Sequence, residues 1–371
     1  MGTAARPPWT SRYKDNWDDA YERVMSWWEG AGLDRPLVMN PVPRPEAHPF
    51  VPPAEWATSG EDDLDVGYAL AFTRHRLENR LYLAEAAPVA NTMYASGLGM
   101  LASMADARIS YSPEAFTAWI ERVEDVYSRP LPEFNSASRP YAFAIRMIHR
   151  HAGEFGYDAI LGANTLMDPL TTLSMMRGVE ELCLDLIERP RMVKAWVRQL
   201  GDIYLRILEG YREARARHGR REDANWTSMW APGDFDAVLC DFACMLSPEM
   251  FNEFMMPELE REVEFFDYTL FHLDGTQQIQ HLDAICSLPG IRAIQWVENQ
   301  GRSPTERLEL FRRIRRHKKS VLLSCPNGEE AVELTKQLGK DGLAIYIGGW
   351  MPGQIKSEGE MEALLRSLRA A

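Results

Sequence analysis

The chain has 371 residues, 46% of them apolar, and a formal net charge of −13. That composition supplies a large buried core, and the acidic balance excludes nucleic acid or an anionic membrane as a partner held through bulk charge. Five cysteines (183, 240, 244, 286 and 325) are too few and too scattered for a disulfide framework. No apolar run spans a membrane and the opening lacks a signal core, so the expectation is a cytoplasmic protein acting on a small molecule.

The first predicted element is an amphipathic helix. Trp17, Tyr21, Val24 and Trp28 recur at three- and four-residue steps, and Gly30 and Gly32 end it. A short strand, "PLVMN", then runs into the loop "PVPRPEAHPFVPP", which can be neither helix nor central strand. After it, helical and strand-like segments alternate. "DLDVGYALAFTRHRLENRLYLA" reads as helix and "APVAN" as strand. "SPEAFTAWIERVEDVYS" carries the Ser-Pro-Glu start of a helix. "RPYAFAIRMIHRHAGEFG" is helical, "YDAILGAN" a strand, and roughly 170–218 two long helices. "ANWTSMW" reads as the fourth strand, before a second Ser-Pro-Glu helix at 247. The remaining strands are "YTLFHLD", "IRAIQWV", "SVLLSC" and "GLAIYIGG", each followed by a helical stretch.

Eight strands with intervening helices imply parallel pairing, and predict an α/β fold of the (β/α)8 TIM-barrel type. The rival, an open doubly wound sheet, normally carries a Gly-rich phosphate turn after its first strand, and "NPVPRP" is not one. The expected division is an N-terminal helical extension over 1–35 and a barrel over 36–371.

A barrel builds its active site at the C-terminal ends of its strands. Those positions hold Asn40, Asn91, Asn164, Asn225, Trp226, Trp230, His272, Asp274, Gln295, Trp296, Glu298, Cys325, Tyr346 and Trp350. The asparagines, Tyr346 and the four tryptophans suit substrate binding, the indoles as walls for a planar ligand. His272 and Asp274 are two apart on a strand, so both point to one side, about 7 Å apart along the chain. Such a pair can hold a metal or move a proton. Cys240 and Cys244 read as small buried residues, His149 and His151 as a solvated face, and "RRIRRHKK" as an exposed outer helix face.

"LSPEMFNEFMMPELEREV" followed by a strand ending "HLDG" resembles the uroporphyrinogen decarboxylase family. "MRGVEELCLDLIERPRMVKAWV" is similar to that family's mid-chain helix pair, and "WDDAYERVMSWWEGAGLDRPLVM" to an uncharacterised branch of it. The resemblance runs from about Trp17 to the end and implies the barrel. It also implies one of two chemistries: metal-free decarboxylation, or zinc-dependent methyl transfer from a corrinoid protein or methylfolate to a thiol. The decarboxylases' Arg-rich loop after the first strand is reduced here to Arg44, and "ANTMYAS" lacks their aspartate after the second. The methyltransferases' His-x-Cys is matched at His272, with Asp274 in place of the first cysteine. No cysteine follows the last strand in "IYIGGWMPG". Glu298 falls near a ligand glutamate of related enzymes, and Cys325 lies one strand early.

The resemblance therefore implies a methyltransferase with His272 and Asp274 as catalytic residues. His272, Asp274, Glu298 and Cys325 would be zinc ligands, and a corrinoid (cobalamin) would be the methyl carrier. Asp241 aligns with a polar loop of the family's cleft and is a substrate contact on that basis. A corrinoid protein and a second copy of the chain are the implied partners. Two alternatives stay open: a metal-free decarboxylase or lyase using His272 and Asp274 as a proton-transfer pair, and a catalytically retired ligand-binding barrel.

Overall fold

The structure, a computed structural model, describes residues 9, 12–30, 32–51, 66–91, 95–112, 117–162, 165–348 and 354–371. Eight of its strands run parallel and are labelled here in chain order. They are β1 (Leu37–Val38), β2 (Val89–Asn91), β3 (Ile160–Gly162), β4 (Phe235–Leu239), β5 (Tyr268–Asp274), β6 (Ile291–Val297), β7 (Ser320–Cys325) and β8 (Leu343–Ile347). Six form one parallel sheet in the order β1-β8-β7-β6-β5-β4, and β2 pairs with β3 in a second.

Pairing of the first strand with the last is the order of a ring. Yet among the described residues no ladder joins β1 to β2 or β3 to β4. The expectation of a closed barrel is corrected to this extent: six strands form one parallel sheet with the first beside the last, and β2 and β3 form a separate one. The β3–β4 seam is taken by a short strand, Asp223–Ala224, which touches both neighbours but pairs antiparallel with Trp230–Ala231.

Side-chain alternation separates two cores. Leu37, Val89, Ile160, Phe235, Leu270, Ala293, Leu322 and Ala344, one from each parallel strand, share a single apolar interior. The intervening residues, such as Val38, Val238, Phe271, Ile294, Val321 and Ile345, pack outward against the helices. The helix Trp17–Glu29 closes the interior at the strands' N-terminal ends and stops at Gly30, which takes the left-handed conformation (φ 74°). Trp28 meets Phe235 edge-on and Tyr268 at a tilt, at the starts of β4 and β5. Its indole donates to the Trp230 carbonyl (3.1 Å), and Trp230 donates to the Glu85 carbonyl (3.0 Å).

Glu85, 1% exposed, ties this end together. It takes both arms of Arg35 (2.7 and 2.9 Å), Nε of Arg23 (2.6 Å) and the amide of Val38 (2.8 Å). Burial alone would raise its pKa. Arg35 and Arg23, with the Val38 amide, outweigh that and lower it.

Two expected elements and the setting of one histidine differ. "ANWTSMW" is not the fourth strand: it forms the Asp223–Ala231 hairpin, and β4 follows it. The buried aspartates 234 and 236 break the apolar run that would have announced β4. The expected helix at "SPEAFTAWIERVEDVYS" is also absent. Ile109–Ser112 and Thr117–Ile120 pair antiparallel, with Ser110 opposite Trp119; residues 113–116 lie outside the described ones. The period-two pattern of β-branched and aromatic residues prevails there over the capping signal. His151, expected in solvent, is fully buried beside Phe155. Among the described residues no helix is long and apolar enough to cross a membrane.

Candidate functional site

The inward positions of β5 run Leu270, His272, Asp274, from the apolar interior to the open end. On β4 the same parity runs Phe235, Ala237, Leu239 and reaches Asp241, where the chain turns into a short 3-10 helix, Asp241–Met245. Asp241, His272 and Asp274 converge: each offers a ligand atom, and these atoms lie within 4.8 Å of one another. Both aspartates are exposed at the rim, while His272 is 9% exposed.

Two neighbours fix the imidazole. Its Nδ1 sits 2.7 Å from Oε1 of the fully buried Gln295 on β6. An amide oxygen accepts, so Nδ1 carries the proton and Nε2 keeps its lone pair. Trp226 meets the ring edge-on at 4.8 Å. The Asp241 carboxyl is pushed up, first by desolvation; His272 opposes the shift and Asp274 adds to it.

This trio fits a divalent metal ion. One neutral nitrogen and two carboxylates form a possible set, harder than one containing thiolates. Bonds of about 2.0–2.2 Å in a tetrahedral site require ligand atoms about 3.3–3.6 Å apart.

The other expected site residues divide by strand parity. Cys325 and Trp296 lie on the outward face, packed among residues that meet the helices, so neither reaches the trio. Burial also pushes the Cys325 thiol up, away from the thiolate a metal needs. Glu298 is outside the converging group as well. Arg307 grips its carboxylate with Nε (2.7 Å) and a terminal nitrogen (2.9 Å) and holds its pKa down. Trp230 is buried at the opposite, N-terminal end of the strands against Trp9 and Trp17. These four positions correct the reading of strand ends as uniformly lining the mouth.

Asn40 serves as a strand clamp: it donates to the Ile347 carbonyl (3.0 Å) and accepts the Ile347 amide (2.8 Å), extending the β1–β8 ladder with a side chain. Asn40→Leu is expected to cost about 1–3 kcal/mol in chemical denaturation, because both groups of Ile347 lose their partner. Asn225 shapes the hairpin tip. It donates to Asp236 (3.1 Å) and accepts from the amide and hydroxyl of Thr227 (3.0 and 2.6 Å). The tip is then tied to β8 by the Tyr346 hydroxyl, which donates to the Thr227 carbonyl. Asn164, Trp350 and the side chain of Asn91 lie outside the described residues.

The strand-end reading named Gln295 without giving it a role, and singled out neither Gln278 as a support nor Asp241 as a potential ligand. Counting inward parity along β4 would have found the last. Asp168 is a further buried acid near the trio. It caps the helix Pro169–Arg177 through the amides of Leu170 and Thr171, and burial raises its pKa to about 7.

No protein-family model matches the sequence, and no curated protein matches it. Among solved structures, the chain is similar to a methyltransferase from Methanosarcina mazei. The TM-score is 0.61 at 14% identity, over 95% of this chain and 98% of that one. The two share a fold.

Proposed function

We propose that this chain is a methyltransferase whose centre is the Asp241–His272–Asp274 trio, loaded with one divalent metal such as zinc. The observation that carries the reading is the convergence of these three side chains, with His272 Nε2 left free by the bond that Gln295 makes to Nδ1. The shared fold with a methyltransferase supports it. When bound, the ion supplies Lewis acidity, which lowers the pKa of an acid presented to it.

The chain's own residues do the rest. Gln295 holds the imidazole in one tautomer, and Trp226 walls one side of the ring and keeps water from it. Carboxylates in place of thiolates donate less charge to the ion, which favours an oxygen acceptor over a thiol. A corrinoid carrier rests on the resemblance around His272–Gly275. Trp230 and Trp296, buried away from the mouth, supply no wall for a corrin ring, so a partner protein would present the carrier.

The second reading is metal-free proton transfer in a decarboxylase or lyase. What favours it is the carboxyl of Asp241, raised by desolvation, beside His272, a pair able to pass a proton between them.

Metal analysis and a methylcobalamin demethylation assay run with a panel of alcohol and thiol methyl acceptors, on one sample purified without chelator, separate the two. The methyltransferase reading expects about one equivalent of metal and chelator-sensitive demethylation. Less than about a tenth of an equivalent, with no demethylation, overturns it.

A further inference from the structure

The three candidate ligands come from two separate segments. His272 and Asp274 belong to β5, whereas Asp241 begins the 3-10 helix after β4. Beyond Leu239↔His272 the β4–β5 ladder has ended, so backbone pairing no longer fixes the distance between the two carboxylates. Another contact has to do so.

Gln278 is placed for that task. It lies in the 3-10 helix Thr276–His281 that follows β5 and is 1% exposed. Its Nε2 donates to the carbonyl of Cys240, the residue before Asp241, at 3.0 Å. Its Oε1 accepts the amide of Asp274 itself at 3.3 Å. One side chain thus joins the backbones that carry the two carboxylates. Neighbouring bonds anchor the same two turns but do not reach Asp274: His281 contacts the Ala243 carbonyl (3.0 Å) and Gln280 donates to the Leu246 carbonyl (3.1 Å).

We propose that Gln278 is a positioning residue that holds Asp241 and Asp274 at the separation the site requires, by bridging the Cys240 carbonyl and the Asp274 amide. This rests on the metal-binding reading above. The glutamine amide suits the role because it donates at one end and accepts at the other, and is neutral. An ionised glutamate has no donor for Cys240, and a methionine has neither group.

The test compares wild type, Gln278→Met, Gln278→Glu and Gln280→Ala. Each metal-free protein is titrated with Co²⁺ by calorimetry, and its metal-free crystal structure is determined. Support from a neighbouring residue is typically worth about 10–100-fold in metal affinity. Q278M and Q278E are expected to bind Co²⁺ at least tenfold more weakly than wild type, and Q280A within about threefold. In the crystals the Asp241 and Asp274 carboxylates are expected to separate further in both Gln278 variants.

If wild type binds Co²⁺ and Q278M binds it equally well, Gln278 only fills space and the proposal is overturned, while the metal reading stands. If wild type binds no metal, the metal reading fails, and the crystals decide whether Gln278 sets the separation. An unchanged separation in both variants overturns the bridge on its own. Should Q278M fail to fold, Q278E supplies both measurements.

Discussion

Replacing His272 with alanine is expected to weaken metal binding by more than about 100-fold, beyond the range typical of residues that merely support a ligand. The alanine removes the trio's nitrogen, leaving only two carboxylates to hold the ion. His272→Gln is the companion variant. It retains bulk and a polar contact for Gln295 but has no imidazole lone pair. Calorimetric titration with Zn²⁺ or Co²⁺, beside thermal melts of the metal-free proteins, reads the effect. Undiminished affinity in both variants would place any bound metal elsewhere and remove the proposed centre. Loss of demethylation with metal binding intact would instead give the imidazole a chemical role.

The largest expected effect on stability lies at the other end of the strands. Glu85→Gln leaves the buried Arg35 without its anionic partner, and breaking a buried pair from one side costs about 3–5 kcal/mol. Denaturant unfolding at neutral pH measures it, with an unchanged slope confirming that the same surface is exposed. The pH dependence has a definite sign. The folded pKa of Glu85 is lowered from its ordinary value of 4.5. Its contribution is therefore complete above the unfolded value and is lost as pH falls through the folded one. The gap between wild type and Glu85→Gln should shrink as pH falls below about 4. A gap that widens on acidification would contradict this account of Glu85.

Some of this was open to reading from residues alone. The period-two run of β5 placed His272 and Asp274 on one face, and the structure has them on consecutive inward positions. The strand–helix alternation announced parallel strands, and seven of the eight fall within or beside the expected segments. Where the reading failed, the missing quantity was orientation. Cys325 and Trp296 do end apolar runs, but a strand end has two faces, and one residue decides which is presented. Trp230 and β4 were misplaced because a hairpin with strand-like composition stands directly before a strand interrupted by charge.

The sequence by itself determined which segments extend, which coil, and which polar side chains fall where apolar runs stop, since these follow from local periodicity and composition. Only the tertiary structure decided that Asp241, 31 positions before His272, joins it and Asp274, while Glu298 turns to Arg307 instead. The physical reason is that convergence depends on the relative register of neighbouring strands and on the parity with which each enters the interior. Both are set by packing between distant segments, and neither is encoded in any one of them.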